Sequence, residues 1–269
     1  MDNDRWSRTR GALGDSTWRK LRACQVAVVG AGRTGSGVAL ALGQLGIRRL
    51  VLIDPDRDES HNRDATALPE PMELGRPKVF NRRTALDRLL PGHTTIDVVA
   101  DSIAGAETVD RLRPVDLIVT AVDHDEPRLV AAVLANRWAK PHLDLGTGVL
   151  HGAAGPRMGA EVRFCLPGEA CVSCLGGLRD HEEAEYALAA PRGALRRGPF
   201  LPWNVLRAGS LLTVNQIAVH LGVQLWIDLL AGRLERSTWY HLGWGEDGVA
   251  DLRSRHEPSP DCRYCRPRE

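Results

Sequence analysis

The chain has 269 residues, of which 43% are hydrophobic, and its 35 basic and 34 acidic side chains give a formal net charge of +1. This length and apolar content are sufficient for one sizeable hydrophobic core. The balanced charge gives no reason to expect binding to nucleic acid or to a membrane surface. The first residues, MDNDRWSRTR, contain no apolar run and are not a signal peptide, so we expect a cytoplasmic protein.

Residues 26–29 and the glycines that follow them have the pattern of a phosphate-binding turn. The apolar, mostly β-branched run predicts a buried parallel strand, and Gly30, Gly32 and Gly35 then supply the GxGxxG spacing. Gly30 allows a tight turn, Gly32 lets the backbone approach a phosphate, and Gly35 lets the next helix lie close to the sheet. The N-terminus of that helix would present free N–H groups to an anion.

Charged side chains follow at positions where a nucleotide would need them. A second predicted strand, residues 49–53, leads to Asp54, whose distance from the glycines suits a carboxylate that accepts hydrogen bonds from ribose hydroxyls. Lys78 lies in the first turn of a predicted helix, where a cation needs another partner such as a phosphate. Asp123 ends an apolar strand and suits Mg²⁺, which takes one or two carboxylates together with substrate phosphates. A glycine-rich turn in an unrelated α/β protein is the alternative to this nucleotide site.

Strands and helices alternate along the first half of the chain. After the strands at 26–29 and 49–53, the predicted elements are a helix at 75–90, strands at 96–100 and 115–122, a helix at 125–140 and a strand at 142–145. This alternation predicts an α/β fold with a doubly wound, Rossmann-like and mostly parallel sheet, whose ligands bind at the carboxyl ends of the strands. Later strands at 159–166 and 237–242 would add to this sheet or form a small second one.

Residues 211–230 form the longest apolar stretch of the chain. They predict a soluble helix because they contain polar residues that a bilayer core would exclude, namely Asn215, Gln216, His220, Gln224 and Asp228. The buried side of this helix is expected at apolar residues with helical spacing, which are Val214, Ile217, Ala218, Leu221, Leu225 and Leu229.

Four of the six cysteines form two CxxC pairs, Cys171 with Cys174 and Cys262 with Cys265. Without a secretory signal, such pairs indicate metal or redox chemistry rather than disulfides. Two pairs complete a tetrahedral Cys₄ zinc site with no open position, which is typical of a structural metal. A redox pair or two surface turns are the alternatives. We expect zinc to hold a C-terminal extension against the start of a mobile crossover loop at residues 178–203.

The order and spacing of these motifs resemble the adenylating enzymes of the ThiF/MoeB family, which are related to ubiquitin-activating enzymes. The resemblance extends over nearly the whole chain. The matches are an RYxRQ-like start at residues 5–9, the glycine loop, a DxD strand end at Asp54 and Asp56, an asparagine at Asn62, a GxPKV helix start at residues 75–79, a TDN-like strand end at residues 121–124, and the two CxxC pairs.

The resemblance implies one ThiF-type adenylation domain over residues 1–269, with an N-terminal arm (1–24), a nucleotide-binding core (25–150) and a zinc-stapled part (151–269). It implies that Mg·ATP binds and that a substrate carboxylate attacks the α-phosphorus, which gives an acyl-adenylate and pyrophosphate. In the family this carboxylate belongs to the C-terminal Gly-Gly of a ubiquitin-like or sulfur-carrier protein, and a peptide is a further candidate.

Carried over by position, the resemblance assigns a role to each matched residue. Asp54 would hold the ribose, Asn62 and Lys78 would contact the phosphates, and Asp123 would bind Mg²⁺. Arg8 would act as an arginine finger, reaching the phosphates of the neighbouring subunit in a homodimer.

Two positions depart from the pattern of the family. The family has an arginine three positions after the asparagine, where this chain has Ala65, and the neighbouring Arg63 would have to replace it. Arg33 occupies a place in the glycine loop where the family often has glycine, so its guanidinium would add a phosphate contact. A weakened site would leave a non-catalytic nucleotide-binding adaptor as an alternative function.

A NAD-dependent oxidoreductase is the other alternative, since the glycine loop and Asp54 fit NAD as well as ATP. That function would leave Lys78, Asp123, the N-terminal arginines and the CxxC pairs without a common purpose. The motifs together therefore favour adenylation.

A cysteine for a covalent step is missing from the chain. Ubiquitin-activating enzymes form a thioester on a cysteine of their own, because a thiolate combines high nucleophilicity with a labile acyl bond. This chain has no cysteine between Cys174 and Cys262, and Cys24 and Cys165 are expected to be ordinary buried residues. We therefore predict that the enzyme stops at the acyl-adenylate and that an external nucleophile, such as the persulfide of a sulfurtransferase or an amine, completes the transfer.

Overall fold

The computed structural model describes residues 5–68, 72–90, 92–152, 155–178, 185, 211–244, 251–255 and 257–265. The crossover loop predicted for residues 178–203 lies outside these ranges, apart from Leu178 and Glu185. The strands of the described part are β1 (Gln25–Val29), β2 (Arg49–Ile53), β3 (Thr95–Val99), β4 (Leu117–Thr120), β5 (His142–Gly152), β6 (Gly155–Cys165), β7 (Thr238–Trp244) and β8 (Asp251–Arg255). All eight belong to one sheet, in the order β3-β2-β1-β4-β5-β6-β7-β8.

The two halves of this sheet differ in strand direction. From β3 to β5 every neighbouring pair is parallel, and the order 3-2-1-4-5 is that of a Rossmann sheet without its sixth strand. From β5 to β8 every neighbouring pair is antiparallel. The α/β, Rossmann-like fold predicted from the sequence is therefore confirmed, and the later strands add to the main sheet instead of forming a second one.

Helices cover both faces of the sheet. They are α1 (Ser7–Leu13), α2 (Asp15–Ala23), α3 (Arg33–Gln44), α4 (Lys78–Leu89), α5 (Ala106–Leu112), α6 (Asp125–Arg137) and α7 (Leu212–Leu230). Helices α3, α4 and α7 share a core with Val26 and Val28 of β1, whereas α5 and α6 share a core with Ala27 and Val29. Strand β1 is thus buried on both faces, which explains its continuous apolar run. Within the described ranges, no helix combines the length and the apolar character needed to cross a membrane.

Several elements have bounds that differ from the predicted ones. Helix α4 begins at Lys78 instead of residue 75, because Gly75 has a φ of 79° and Pro77 is extended with a ψ of 134°. The helix predicted at 125–140 ends at Arg137, shortly before Ala139, whose φ is 52°. The strand predicted at 115–122 is shorter, and the one predicted at 142–145 continues to residue 152. The sequence patterns do not indicate α5 or β8.

The predicted buried side of α7 is confirmed at Val214, Ala218 and Leu225 and is wrong at Ile217. Ile217, predicted to be buried, is 42% exposed, whereas the polar Asn215 is 2% exposed. The reason is the close packing of α7 at two glycines: Gly37 of α3 lies against Val219, and Gly222 of α7 lies against β5. These contacts fix which side of α7 faces the core, and Ile217 points away from it.

A buried charged cluster joins β4, β5, β6 and α6. Asp144 on β5 is fully buried, and its Oδ1 accepts a hydrogen bond of 2.8 Å from Thr120 Oγ1. Arg163 Nη1 donates to Oδ2 at 3.2 Å, and Arg128 Nε lies 3.3 Å from Oδ1. Burial alone would raise the pKa of Asp144, but Arg128 and Arg163 hold it below its usual range. The carboxylate is therefore ionised in the folded protein.

The two arginines also bind backbone carbonyls on either side of this cluster. Arg128 donates to Val122 O at 2.9 Å and to Gly177 O at 3.1 Å, and Arg163 donates to Leu175 O at 2.9 Å. Val122 lies just beyond β4, and Leu175 and Gly177 directly follow the first CxxC pair. One buried cluster therefore supports both the end of β4 and the turn that carries these cysteines.

His142, at the start of β5, should make the stability of the protein sensitive to mild acid. It is 1% exposed, and burial lowers its pKa to about 4, against about 6.5 in an unfolded chain. Acid therefore protonates the unfolded chain first. We expect the free energy of unfolding to be nearly constant just above about pH 7 and to fall by up to about 3 kcal/mol as the pH drops towards 4. Urea unfolding measured across this range checks the expectation.

The matched variant is His142→Gln, which removes the titrating group. It should be less stable at neutral pH but should lose most of the pH dependence between about pH 6.5 and pH 5, where carboxylates scarcely titrate. A slope in this interval equal to that of the wild type would show that another group is responsible.

Candidate functional site

The turn after β1 has the geometry of a phosphate-binding loop. Gly30 has a φ of 94°, and a Cβ there would collide with Ala121 O. A Cβ on Gly35 would collide with Gly30 O, so this glycine lets α3 lie against the turn. A Cβ on Gly32 would meet no atom of the described residues within 4 Å, so the backbone there is open to a ligand. Helix α3 begins next, at Arg33, without a side-chain cap, which leaves its first N–H groups to an anion.

Asp54, directly after β2, fixes the shape of this turn. Its Oδ2 accepts a hydrogen bond of 2.7 Å from the N–H of Ala31, and its Oδ1 accepts one of 2.8 Å from the N–H of Asp56. The residue is 6% exposed, and burial raises its pKa although Lys78 acts against this shift. Each carboxylate oxygen has a second lone pair, which would be the acceptor for a ribose hydroxyl.

Lys78 forms an ion pair at the same edge of the sheet. Its Nζ donates to Asp56 Oδ2 at 2.9 Å, and its backbone N–H donates to Asp56 O at 2.9 Å. The lysine side chain is only 15% exposed. The pair holds an ammonium group close to Asp54, and its contact with a phosphate stays a prediction.

A second ion pair, which the sequence motifs do not indicate, connects α4 to the glycine turn. Arg82 binds Asp58 through two hydrogen bonds of 2.8 and 3.0 Å, and its Nε donates to Ala31 O at 3.0 Å. The two side chains are 3% and 0% exposed, and Asn81 Nδ2 also donates to Asp58 at 2.7 Å. The sequence contains one signal for this ion pair, because the spacing of Asn81 and Arg82 from Lys78 places all three on one face of α4.

Asn62 belongs to a short 3₁₀ turn, Ser60–Asn62, that precedes the next loop. Its Oδ1 accepts a hydrogen bond of 2.8 Å from the N–H of Glu59 and so caps this turn. The amide nitrogen of the same side chain is therefore the group suited to a phosphate oxygen. Arg63, the predicted substitute for the family arginine, is exposed.

Arg33 lies against the same loop, at the segment where Ala65 replaces the family arginine. Its guanidinium donates to Asp64 O and lies 3.4 Å from the Asp64 carboxylate, with the arginine side chain only 10% exposed. Ser36 Oγ also accepts a hydrogen bond of 2.9 Å from the N–H of Ala67. The loop that contains Asp64 and Ala67 is therefore held against the first turn of α3, and the guanidinium of Arg33 lies next to this loop.

Asp123 follows β4 on the other side of the glycine turn. The preceding residues, Ala121 and Val122, lie against Gly30. The Asp123 side chain is 55% exposed, and His124 Nε2 lies 3.5 Å from its Oδ1. An exposed carboxylate suits Mg²⁺, which keeps several of its waters, and this metal site stays a prediction.

Arg8 is not brought to this edge within one chain. It is exposed on α1, and the neighbouring Trp6 is anchored near the C-terminal end of α3, where its Nε1 donates to Gln44 O at 3.2 Å and its ring lies on Gly46. Helix α3 starts at the glycine turn and has 12 residues, so the anchor is about 18 Å from the turn. An arginine finger at this position would have to act on another subunit.

The four paired cysteines meet at one place. Cys171 and Cys174 lie after β6, and Cys262 and Cys265 lie after β8. The Sγ–Sγ distances are 3.8 Å for Cys171–Cys174 and 3.6 Å for both Cys171–Cys262 and Cys174–Cys265, and all four sulfurs lie within 4.8 Å of one another. Tetrahedral zinc with bonds of about 2.3 Å places its sulfurs about 3.8 Å apart. The cluster therefore fits one four-coordinate ion.

The parallel strands have the Rossmann order, and a glycine turn opens the helix after β1. Acidic residues follow two of the strands. These features are those of a nucleotide-binding protein of the Rossmann class. The ThiF family matches residues 6–252. The chain therefore belongs to the ThiF family, and the resemblance inferred from the order of its motifs is confirmed.

Similar sequences include a ubiquitin-like modifier-activating enzyme and a HesA protein. Ubiquitin-like modifier-activating enzyme 5 of Mus musculus is 27% identical over 172 residues, which cover 59% of this chain and 41% of the mouse protein. Protein HesA of Nostoc sp. is 26% identical over 165 residues, which cover 61% of this chain and 62% of that protein. The chain thus spans about two fifths of the length of the mouse relative.

Solved structures share the fold at lower sequence identity. The crystal structure of E. coli MccB with ATP matches with a TM-score of 0.71 and 19% identity, over 98% of this chain and 74% of MccB. A structure of PaaA matches with a TM-score of 0.66 and 17% identity, over 96% of this chain and 82% of PaaA. These matches place the described sheet and helices in a known architecture.

Alanine at Gly35 and at Gly32 should separate a glycine needed for packing from a glycine needed for binding. Gly35→Ala forces a Cβ against Gly30 O and should lower the free energy of unfolding by about 2–3 kcal/mol or more. Gly32→Ala should change it by less than about 1 kcal/mol but should remove the stabilisation that ATP with Mg²⁺ provides. Denaturant unfolding with and without ATP measures both effects. Equal stabilities, or a full ATP response in Gly32→Ala, would contradict these roles.

Protein purified under reducing conditions without a chelator should contain about one zinc ion per chain, as measured by elemental analysis. Cys262→Ser should lose the metal and unfold more easily, because metal binding contributes to folding. Cys24→Ser is the matched control, since this buried cysteine lies before β1 and away from the cluster, and it should keep its zinc. Wild-type protein without bound metal would overturn the zinc assignment.

Proposed function

We propose that the chain acts as an ATP-dependent adenylyltransferase, which activates the C-terminal carboxylate of a ubiquitin-like protein, a sulfur-carrier protein or a peptide. The observation that carries this proposal is one edge of the sheet, where the open glycine turn is flanked by the buried Asp54, the Lys78–Asp56 ion pair and Asp123. Membership of the ThiF family supports it. The whole chain would work as one unit, with the cysteine cluster holding its C-terminal part.

The reaction must bring two anions together. The substrate carboxylate would attack the α-phosphorus of ATP, a new P–O bond would form, and the bond from the α-phosphorus to the bridging oxygen would break, so that pyrophosphate leaves with the bond electrons. The N–H groups at the start of α3 and the amide of Asn62 would donate hydrogen bonds to the phosphates, Lys78 and Arg33 would offset their charge, and Asp54 would orient the ribose. Mg²⁺ bound at Asp123 would offset the charge of the leaving pyrophosphate.

The names of similar proteins favour a protein or peptide as the carboxylate partner. The mouse relative is a ubiquitin-like modifier-activating enzyme, and a crystal structure of E. coli MccB contains AMPCPP together with MccA. For a ubiquitin-like or sulfur-carrier partner, we propose a C-terminal Gly-Gly.

The enzyme would not form a thioester on its own cysteines. Cys24 and Cys165 are 8% and 5% exposed. Burial raises the pKa of Cys24 to about 12 and raises the pKa of Cys165 well above its usual range, so neither supplies a thiolate near neutral pH. The other four cysteines belong to the cluster. The acyl-adenylate would therefore pass to an external nucleophile, such as the persulfide of a sulfurtransferase or an amine.

Two alternative functions make different use of the same turn. A NAD-dependent oxidoreductase would leave the strand-end carboxylate of Asp123 and the ammonium group of Lys78 without a common purpose. Ala65, at the position of the family arginine, suggests a nucleotide-binding adaptor. Arg33, however, brings a guanidinium to the same segment, which supports a site that still has a positive charge for the phosphates.

We further propose a homodimer, because Arg8 would reach phosphates only across subunits.

ATP with Mg²⁺ should raise the melting temperature of the protein, and NAD should not, because only ATP carries the Mg²⁺-bound triphosphate that the ammonium group and the magnesium carboxylate would hold together. With a Gly-Gly-ended partner isolated by pull-down, the enzyme should exchange radiolabelled pyrophosphate into ATP. Asp123→Ala and Lys78→Ala should each lower this exchange by about a hundredfold or more and leave the fold nearly intact. Asp110→Ala, an exposed carboxylate on α5, is the matched control and should exchange normally.

Three outcomes would count against parts of this proposal. Near-normal exchange in both Asp123→Ala and Lys78→Ala would show that the site is assigned wrongly. ATP binding without exchange for any carboxylate partner would favour the adaptor. A DTT-sensitive covalent adduct with the partner that disappears in Cys165→Ala or in Cys24→Ala would show that the enzyme does form a thioester.

A further inference from the structure

A buried asparagine on α7 connects two sides of the candidate site. Asn215 is the fourth residue of α7 and is 2% exposed, on a side of the helix that also buries Val214 and Ala218. Its Nδ2 donates to Thr34 Oγ1 at 2.8 Å and to Thr147 Oγ1 at 2.6 Å. An amide in such surroundings costs free energy unless it is hydrogen-bonded, and an apolar residue would hold the helix in place at least as well. The polar side chain therefore calls for a reason beyond packing.

The two threonines lie on different elements of the site. Thr34 is the second residue of α3 and follows Arg33 in the turn whose N–H groups face the anion position. Thr147 lies on β5 beyond Asp144, which is the last β5 residue paired with β4. It therefore belongs to the part of β5 that extends past the carboxyl ends of the parallel strands, where ligands of such sheets bind. Asn215 ties the start of α3 to this extension.

The direction of these hydrogen bonds sets the chemistry of both hydroxyls. A threonine hydroxyl has one proton and two acceptor lone pairs. Because Asn215 Nδ2 is the donor in both bonds, each threonine oxygen is an acceptor, and its own proton remains to be donated elsewhere. Oriented hydroxyl donors suit negatively charged oxygens, and in adenylation these belong to the α-phosphate and to the attacking carboxylate.

We propose that Asn215 is a positioning residue of the adenylation centre, which holds the hydroxyl of Thr34 as a donor to the nucleotide phosphate and the hydroxyl of Thr147 as a donor to the acyl group. The proposal rests on the adenylyltransferase function and names residues that align its two substrates. Asn215 itself touches neither substrate and acts only through the two hydroxyls.

The test uses two probes that require no protein partner. ATP with Mg²⁺ reports on the phosphate side, and glycyl-sulfamoyl adenosine, a stable analogue of an acyl-adenylate, reports on both sides. Titration calorimetry gives the Kd of each probe for Thr34→Val, Thr147→Val and Asn215→Leu. Thr34→Val should weaken both probes by about tenfold, whereas Thr147→Val should weaken only the acyl-adenylate analogue by about tenfold. Asn215→Leu should weaken both.

Further variants distinguish positioning from a structural role. Thr34→Ser and Thr147→Ser keep the hydroxyls and should bind both probes like the wild type. Adding Asn215→Leu to the Thr34→Val/Thr147→Val double variant should change either Kd by less than about twofold, because the residues act as one unit. Gln224→Leu, on an exposed part of the same helix, is the control for α7 and should leave both Kd values unchanged.

Three results would overturn the proposal, and they distinguish its failure from that of the proposed function. If the wild type binds both probes and Asn215→Leu, folded by its melting curve, binds them within about twofold of the wild type, Asn215 has no positioning role and the proposed function stands. The same conclusion follows if Asn215→Leu further weakens binding in the double variant by as much as it does alone. If the wild type binds neither probe, the adenylyltransferase function fails, and this proposal fails with it.

Discussion

The buried carboxylate of Asp144 is the charge on which much of the architecture depends. A fully buried carboxylate is tolerated only when its cations are in place, and removing one partner of such a pair costs about 3–5 kcal/mol. Here the cations are Arg128 from α6 and Arg163 from β6, and both also bind carbonyls outside the cluster. The strand end beside Asp123 and the turn after the first CxxC pair are therefore held by the same electrostatic interaction. The candidate active site and the candidate metal site have a common support on α6.

Charged residues have a similar structural role at the glycine turn itself. Asp54 accepts hydrogen bonds from two backbone N–H groups, and the buried pair of Asp58 and Arg82 fixes the carbonyl of Ala31. The turn is therefore held in shape before any ligand arrives, and a nucleotide would not have to order it. Preorganised donors of this kind stabilise developing charge more than mobile ones do.

The parallel half of the sheet and the position of the glycine turn could be predicted from the sequence, because strands buried on both faces are continuously apolar and the glycines have fixed spacing. The predicted strand at residues 49–53 has the bounds of β2. Strand β8 could not be predicted in this way, since DLRSR has no apolar run and becomes a strand by pairing with β7. The start of α4 depends on the backbone angles of Gly75 and Pro77. The partners of the site residues were the least predictable feature, since Asp58 and Arg82 are 24 positions apart and meet only in the folded chain.

The cysteine cluster also implies an order of folding. Cys171 and Cys262, whose sulfurs lie 3.6 Å apart, are separated by 91 positions, and α7, β7 and β8 lie between the two CxxC pairs. We expect the four sulfurs to come together only after β7 has paired with β6 and β8 has paired with β7, because those pairings bring the second CxxC pair back to the first. Closing so long a loop costs entropy that the sheet must already have offset. An ion that needs all four thiolates would then bind late in folding and would mark a chain whose antiparallel half has been assembled.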